Sequence, residues 1–274
     1  MPAVPLLLID AFAARPFAGN PAGVCLPDAP APAGWMQALA AELNQAETAF
    51  VLPPGPDGVR PLRWFTPAVE VDLCGHATLA AAHALWEEGR ADPTQPLRFG
   101  TRSGVLTCSR SADGVTLDFP ADPPAPADPP AGLLDALGVR AVSVHRGRFD
   151  YLVELADAAA VRAAAPDFRR LGRVDARGVI VTARADAPGA DFVSRFFGPA
   201  VGVDEDPVTG SAHCTLAAFW GSRLGENALV GFQASRRGGH VRTRRAGDRV
   251  LLTGTAVTVV RGTVEPPAET SRPV

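Results

Sequence analysis

The chain contains no lysine, since all 26 of its basic residues are arginine. Schiff-base chemistry on a protein amine is therefore excluded, and with it lysine-anchored pyridoxal phosphate and lysine-dependent aldol chemistry. The lysine of a phosphate-binding loop is absent too, and no Gly-x-Gly-x-x-Gly stretch indicates a dinucleotide site. We therefore expect a protein that works without a cofactor.

Clustered cysteines are also lacking. The four cysteines are Cys25, Cys74, Cys108 and Cys214. No Cys-x-x-Cys pair occurs, so free thiols are expected. Cys74 and His76 with His213 and Cys214 would be a conceivable zinc set, but their spacing matches no known pattern and near neighbours on a helix diverge. We predict no metal site.

The charge balance gives no reason to expect a polyanionic partner. A net charge of −3 with a pI near 6.0 argues against nucleic acid. No apolar run approaches the roughly 20 residues that span a bilayer, and the N-terminal residues do not resemble a signal peptide. We expect a cytoplasmic protein without a membrane partner, acting on a small neutral or anionic metabolite.

An internal repeat divides the 274 residues into two similar halves. Residues 63–72 (RWFTPAVEVD) are echoed by residues 195–204 (RFFGPAVGVD), and each copy continues into a helix of small residues, 75–86 and 212–220. A segment that occurs twice, near the middle of each half, predicts two copies of one fold unit rather than a solenoid of many short repeats. The helix 75–86 carries no polar stripe, which indicates a helix buried on all sides by a sheet.

The elements between these landmarks complete the domain prediction. Short β-favouring runs bounded by Gly or Pro predict strands at 6–12, 49–52, 62–65, 104–108, 115–119, 151–155, 179–183 and 192–197. The tract PADPPAPADPP cannot hold a helix or a central strand. We predict an N-terminal domain at 1–119, a linker at 120–131 and a C-terminal domain at 132–274. The final strand, around 250–264, could complete the sheet of either domain.

Glu47 is the best acid/base candidate because it stands in an otherwise apolar strand. A carboxylate on an enclosed face has its charged form disfavoured and could carry a proton near neutral pH. The alternative is a solvated glutamate at a strand end. His76, Asp206 and Ser211, at the starts of the two small-residue helices, could supply the second polar group.

The two helix starts could bind an anion. Gly75 and Gly210 leave backbone N–H groups accessible at the positive end of a helix dipole. If the halves are related by a pseudo-twofold axis, both starts would face one cleft and hold a carboxylate. The alternative is an ordinary N-terminal turn, in which Asp206 is only a dipole partner. Arg237, beside two glycines, could reach a substrate carboxylate but is read mainly as a solvated residue.

Several stretches of the sequence together carry a family resemblance. They are Asp10-Ala11-Phe12, Gly19-Asn20-Pro21, Ala46-Glu47-Thr48-Ala49-Phe50, Phe65-Thr66-Pro67, Cys74-Gly75-His76-Ala77-Thr78 and Glu205-Asp206-Pro207-Val208-Thr209-Gly210-Ser211-Ala212-His213. In this order they resemble the phenazine-biosynthesis PhzF-like family. The resemblance implies an α+β, duplicated, two-domain diaminopimelate epimerase-like fold. Each half would be a β-barrel-like mixed sheet wrapped around a central helix, and a homodimer is common.

The resemblance also assigns residues. Glu47 matches the acid/base glutamate of the family, and His76, Asp206 and Ser211 match its supporting polar residues. The resemblance also implies that the turns at Gly75 and Gly210 contact the substrate carboxylate. We predict that Asn20, His76 and Ser211 contact the substrate as well. Epimerase relatives use a cysteine at the start of each central helix, whereas this chain has Cys74 and then Thr209, so the two-thiol racemase mechanism is broken.

We therefore expect an isomerase that moves a proton between carbons of a small amino- or hydroxy-carboxylate, such as a trans-2,3-dihydro-3-hydroxyanthranilate-like compound. Glu47 would be the general acid/base. Two other functions remain open: a non-catalytic metabolite-binding protein on the same scaffold, and an epimerase in which Cys74 works with a non-thiol partner.

Overall fold

The computed structural model describes residues 3–266. The strands are β1 (Val4–Ala11), β2 (Asn20–Cys25), β3 (Glu47–Val51), β4 (Arg60–Phe65), β5 (Glu70–Val71), β6 (Leu97–Thr101), β7 (Gly104–Ser111), β8 (Gly114–Pro120), β9 (Ala125–Pro126), β10 (Ser143–Arg146), β11 (Asp150–Glu154), β12 (Gly178–Arg184), β13 (Phe192–Gly198), β14 (Val203–Asp206), β15 (Ala228–Gln233), β16 (Gly239–Ala246), β17 (Arg249–Gly254) and β18 (Ala256–Val264). The α-helices are α1 (Ala33–Leu43), α2 (Gly75–Glu87), α3 (Leu133–Leu137), α4 (Ala158–Ala163), α5 (Phe168–Leu171) and α6 (Gly210–Leu224). A 3₁₀ turn occupies Pro199–Val201.

The chain forms two compact units. Of the described residues, the first contains 3–17, 21–115 and 255–266, and the second contains 18–20 and 116–254. The predicted linker 120–131 therefore belongs to the second unit: Ala121 donates a backbone hydrogen bond to Asp248, Thr215 donates to the Asp122 carboxylate, and β9 pairs with β10. Proline removes donors but leaves carbonyls and side chains able to anchor the tract.

In the first unit, a mixed sheet packs around helix α2. The strand β1 pairs antiparallel with β18, β2 pairs parallel with β3, and β3 pairs antiparallel with β4. The strand β4 then runs parallel to β6, which pairs with β7. The closing stretch, whose destination the sequence left open, divides between the two units: β17 stays in the second, and β18 returns to the first.

Helix α2 is buried as predicted. Its residues from His76 to Ala82 are all buried, and the helix packs against β1, β3 and β18. Alanine and threonine at these positions let strands approach on several sides, whereas larger side chains would hold the sheet away.

The second unit repeats this arrangement around α6. The strand β11 pairs parallel with β12, β12 pairs antiparallel with β13, and β13 runs parallel to β15, which continues into β16 and β17. Helix α6 packs against β15, β16 and β17. Its buried side chains Phe219 and Trp220 join Phe192 and Phe196 in one hydrophobic cluster.

The structure corrects the register of the sequence repeat. Trp64 pairs with Val71 in the first unit, whereas the matching Phe196 pairs with Asp206 in the second. Asp206 therefore occupies the position of Val71, although sequence identity aligned Val71 with Val203. The second hairpin is longer, because Asp206 lies ten positions after Phe196 whereas Val71 lies seven after Trp64, and its register shifts between Phe196 and Gly198.

The same comparison places Gly178 at the position of Glu47. Thr48 pairs with Phe65 and Val179 pairs with Phe197, so the preceding residues, Glu47 and Gly178, correspond. A Cβ atom at Gly178 would lie only 2.2 Å from the Phe196 ring. Because that ring is packed in the core of the second unit, this position excludes any side chain.

We predict that Gly178→Ala destabilises the protein by about 1–3 kcal/mol, the usual cost of overpacking a core. Urea unfolding followed by circular dichroism would measure the change. Gly34→Ala is the matched control, because this exposed position of α1 has no heavy atom within 4 Å of the added Cβ. Equal unfolding midpoints for Gly178→Ala and wild type would contradict the packing.

Candidate functional site

The start of helix α2 brings together the side chains of Glu47, Cys74 and His76. Cys74 precedes the helix in extended backbone conformation, and its side chain makes no capping hydrogen bond. Its Sγ lies 3.5 Å from Nδ1 of His76. The expectation that the side chains of Cys74 and His76 diverge was wrong, because it assumed that both stand on a regular helix.

Glu47 meets this helix start from the first position of β3. Its Oε2 lies 3.3 Å from Nε2 of His76, and its side chain is 20% exposed while that of His76 is 5% exposed. The following residues, Thr48 to Val51, are fully or almost fully buried. Glu47 therefore stands where a buried strand opens to solvent, a position that a small ligand could reach.

Burial sets the protonation state of His76. Removal from solvent lowers the pKa of this imidazole to about 3. His76 is consequently neutral near pH 7, and its contact with Glu47 is not a fixed ion pair. A neutral imidazole can orient the carboxylate while leaving it free to accept or release a proton.

A second polar cluster surrounds Asp206 in the second unit. The Asp206 carboxylate accepts hydrogen bonds from Nδ2 of Asn20 at 2.7 Å and from Oγ1 of Thr209 at 2.5 Å. Asn20 also donates to the carbonyl of Val208 at 2.9 Å. Desolvation raises the pKa of Asp206 to about 6, against the opposing effect of these hydrogen bonds and of Arg177.

Gln233 holds the loop between Asp206 and helix α6. Its Oε1 accepts from the backbone N–H of Thr209 at 2.9 Å, and its Nε2 donates to the carbonyl of Asp206 at 2.7 Å. Gln233 is completely buried. The loop is thus fixed at both ends, and Gly210 begins α6 in a defined position, where first-turn N–H groups lack helical acceptors.

Ser211 is oriented by an arginine that the sequence analysis did not select. The Arg177 guanidinium donates to Ser211 Oγ at 2.9 Å and forms a two-pronged ion pair with Asp150. Arginine can only donate, so the hydroxyl hydrogen of Ser211 remains available for another acceptor. Arg177 lies immediately before the β12 strand, where no local motif distinguishes it from other arginines.

Two further candidates have structural roles. His213 is fully buried, its Nδ1 lies 2.9 Å from the Thr209 carbonyl, and burial lowers its pKa to about 4. Arg237 donates to the carbonyls of Gly19 and Ala18 at 2.8 and 3.0 Å. It therefore anchors the segment 18–20 to the second unit and so helps to position Asn20.

The predicted site residues thus form two groups. In the first unit, Glu47 and His76 are in contact beside Gly75. In the second, Asn20 and Asp206 are in contact, and Gly210 and Ser211 begin helix α6. Asn20 lies outside the copy that contains Asp206, and only the fold reveals their contact.

The comparisons with known proteins identify the family. The sequence model of the family described as phenazine biosynthesis-like protein matches residues 9–262. The chain belongs to this family. An uncharacterized isomerase of Halalkalibacterium halodurans is 47% identical over 95% of this chain and 98% of its own length.

Solved structures agree as well. A phenazine biosynthesis protein of the PhzF family from Enterococcus faecalis superposes with a TM-score of 0.91 at 39% identity, covering 96% of this chain and 100% of that one. A probable proline racemase from Agrobacterium radiobacter shares the fold alone, with a TM-score of 0.65 at 15% identity over 97% and 94% of the two chains. This phenazine biosynthesis-like protein is therefore an isomerase with the predicted α+β, epimerase-like fold.

We predict that the stability difference between Asp206→Asn and wild type depends on pH. The folded protein binds a proton at Asp206 more tightly than the unfolded chain, so this residue lowers the free energy of unfolding as the pH rises from about 4 to above 6. Asparagine does not titrate. The urea midpoint of the variant minus that of wild type should therefore be larger at pH 7.5 than at pH 5.

Using the variant-to-wild-type difference cancels the opposite contribution of His76, whose lowered pKa costs stability as the pH falls below about 6.5. A difference that does not change between the two pH values would show that Asp206 does not have a raised pKa.

Proposed function

We propose that this family member is a cofactor-independent isomerase that moves a proton between two carbons of a small amino- or hydroxy-carboxylate. A trans-2,3-dihydro-3-hydroxyanthranilate-like compound is the reference substrate. The observation that carries the proposal is the contact of Glu47 with the neutral, buried His76 at the start of the central helix. The family assignment supports the class of reaction, and the site supports its chemistry.

Glu47 is the proposed general acid/base. Its carboxylate removes a proton from carbon, which leaves an anion delocalised over the unsaturated system of the substrate. The protonated Glu47 then returns that proton to a different carbon of the same molecule. No atom is gained or lost, and no electron acceptor is needed, as the definition of an isomerase requires.

His76 is proposed to orient the carboxylate of Glu47 and to contact the substrate. The backbone N–H groups at the start of α2, from Gly75 onward, would stabilise negative charge that develops during proton transfer. Donors at a helix start are fixed before the reaction, so they need no reorganisation when charge appears.

The residues around Asp206 are proposed to serve the same reaction. Asp206 has a pKa of about 6, so it can exchange a proton near neutral pH. Asn20, Gly210 and Ser211 are proposed substrate contacts, with Ser211 as a hydroxyl donor because Arg177 already donates to its oxygen. The homodimer and the cytoplasmic location stay predictions.

We predict that wild-type protein in D₂O incorporates deuterium into a carbon position of its substrate, and that Glu47→Gln slows this exchange by roughly 10²-fold or more, the usual contribution of a general base. Proton NMR of a panel of cyclic and acyclic amino- and hydroxy-carboxylates, including dihydroaromatic acids, measures the exchange. Glu42→Gln, an exposed change in α1, is the matched control and should leave the rate unchanged.

The same experiment separates the alternatives. Exchange that survives Glu47→Gln but is lost in Cys74→Ala would exclude Glu47 as the base and favour an epimerase that depends on Cys74. Tight binding of a carboxylate without exchange in any variant would favour a metabolite-binding protein.

A further inference from the structure

Glu47, Cys74 and His76 offer three different metal-binding atoms in one place. They are a carboxylate oxygen, a thiol sulfur and an imidazole nitrogen, and one such atom from each residue lies within 4.8 Å of the other two. Cys74 and His76 are buried, which shields the sulfur and nitrogen from competing water. Within residues 3–266, this is the one group of three His, Cys, Asp or Glu side chains with such spacing.

The distance between Cys74 and His76 suits two ligands of a tetrahedral ion. Zinc binds sulfur, nitrogen and oxygen at about 2.0–2.3 Å, which holds neighbouring ligand atoms about 3.4–3.6 Å apart. Cys74 Sγ and His76 Nδ1 are already 3.5 Å apart. The Glu47 carboxylate now faces Nε2, the other ring nitrogen of His76, at 3.3 Å, so it must turn toward Nδ1 to complete the site. Its partly exposed side chain at the start of β3 makes Glu47 the adjustable ligand.

We propose that Glu47, Cys74 and His76 form a binding site for a thiophilic divalent cation, with Zn²⁺ as the reference ion, and that the bound ion inhibits the isomerase. Binding forms a metal–sulfur bond, and the thiol proton of Cys74 leaves to solvent without any change of oxidation state. Three protein ligands leave one coordination position for water.

Inhibition follows from shared residues. The ion occupies the carboxylate of Glu47, which can then no longer accept a proton from carbon. This consequence rests on the proposed function, whereas binding itself does not. Mg²⁺ and Ca²⁺ prefer all-oxygen sites, so they should not compete for a site with sulfur and nitrogen ligands.

Cobalt titration of the full chain tests the site, because Co²⁺ bound to a thiolate gives a charge-transfer absorption in the near ultraviolet. We expect this band to saturate at one Co²⁺ per chain, to be lost in Cys74→Ala and to disappear from wild type when Zn²⁺ displaces the cobalt. Cys25→Ala is the matched control, since Cys25 is a buried thiol of the same unit. The cobalt absorption band should persist in this variant. Glu47→Gln should weaken cobalt binding about tenfold or more.

No band with folded wild-type protein would overturn the proposal, and so would a band that persists in Cys74→Ala. Circular dichroism of each variant confirms that it is folded; the Cys74 side chain caps nothing, so its removal costs α2 no capping bond. Zn²⁺ should abolish deuterium exchange in wild type, and a chelator should restore it. Full exchange by the zinc-loaded protein would overturn the inhibitory role, whereas absence of exchange without metal would count against the proposed function alone.

Discussion

The burial of helix α2 is the constraint on which the first cluster depends. The helix can be enclosed because its residues are small, and enclosure brings its first turn against the start of β3. Glu47 and His76 meet for this reason, although 29 positions separate them in the sequence, from 47 to 76. The same enclosure desolvates His76 and keeps it neutral. The burial of α2 thus explains both the contact of Glu47 with His76 and the neutral state of His76.

Duplication supplied two similar scaffolds, and the chain uses their equivalent positions differently. Glu47 corresponds to Gly178, and Val71 corresponds to Asp206. One unit therefore carries its carboxylate at the start of a strand beside the helix, and the other carries it at the end of the hairpin before the helix. The cap positions differ as well, with Cys74 in one unit and Thr209 in the other. The chemistry of each unit depends on these local differences, because the backbone frame is shared.

Much of this architecture is visible in the sequence. The repeat, the short β-favouring runs and the two small-residue helices follow from composition and period, and the structure contains each of them. The contacts of Asp206 are different in kind. Gln233 and Asn20 reach it from distant parts of the chain, and Arg177, which pairs with the buried Asp150, donates to Ser211. No local pattern marks such residues, because their roles exist only once the strands have paired.

The repeat register shows how sequence identity can mislead. Val71 and Val203 matched as letters, yet hydrogen bonding pairs Trp64 with Val71 and Phe196 with Asp206. The second hairpin is three residues longer between these pairs and its register shifts between Phe196 and Gly198, which moves its end by a few residues. Asp206 thereby stands beside the start of α6, where Thr209 and Asn20 can donate to it. The longer hairpin thus gave the second unit its own titratable group, at a position where the first unit has only an apolar side chain.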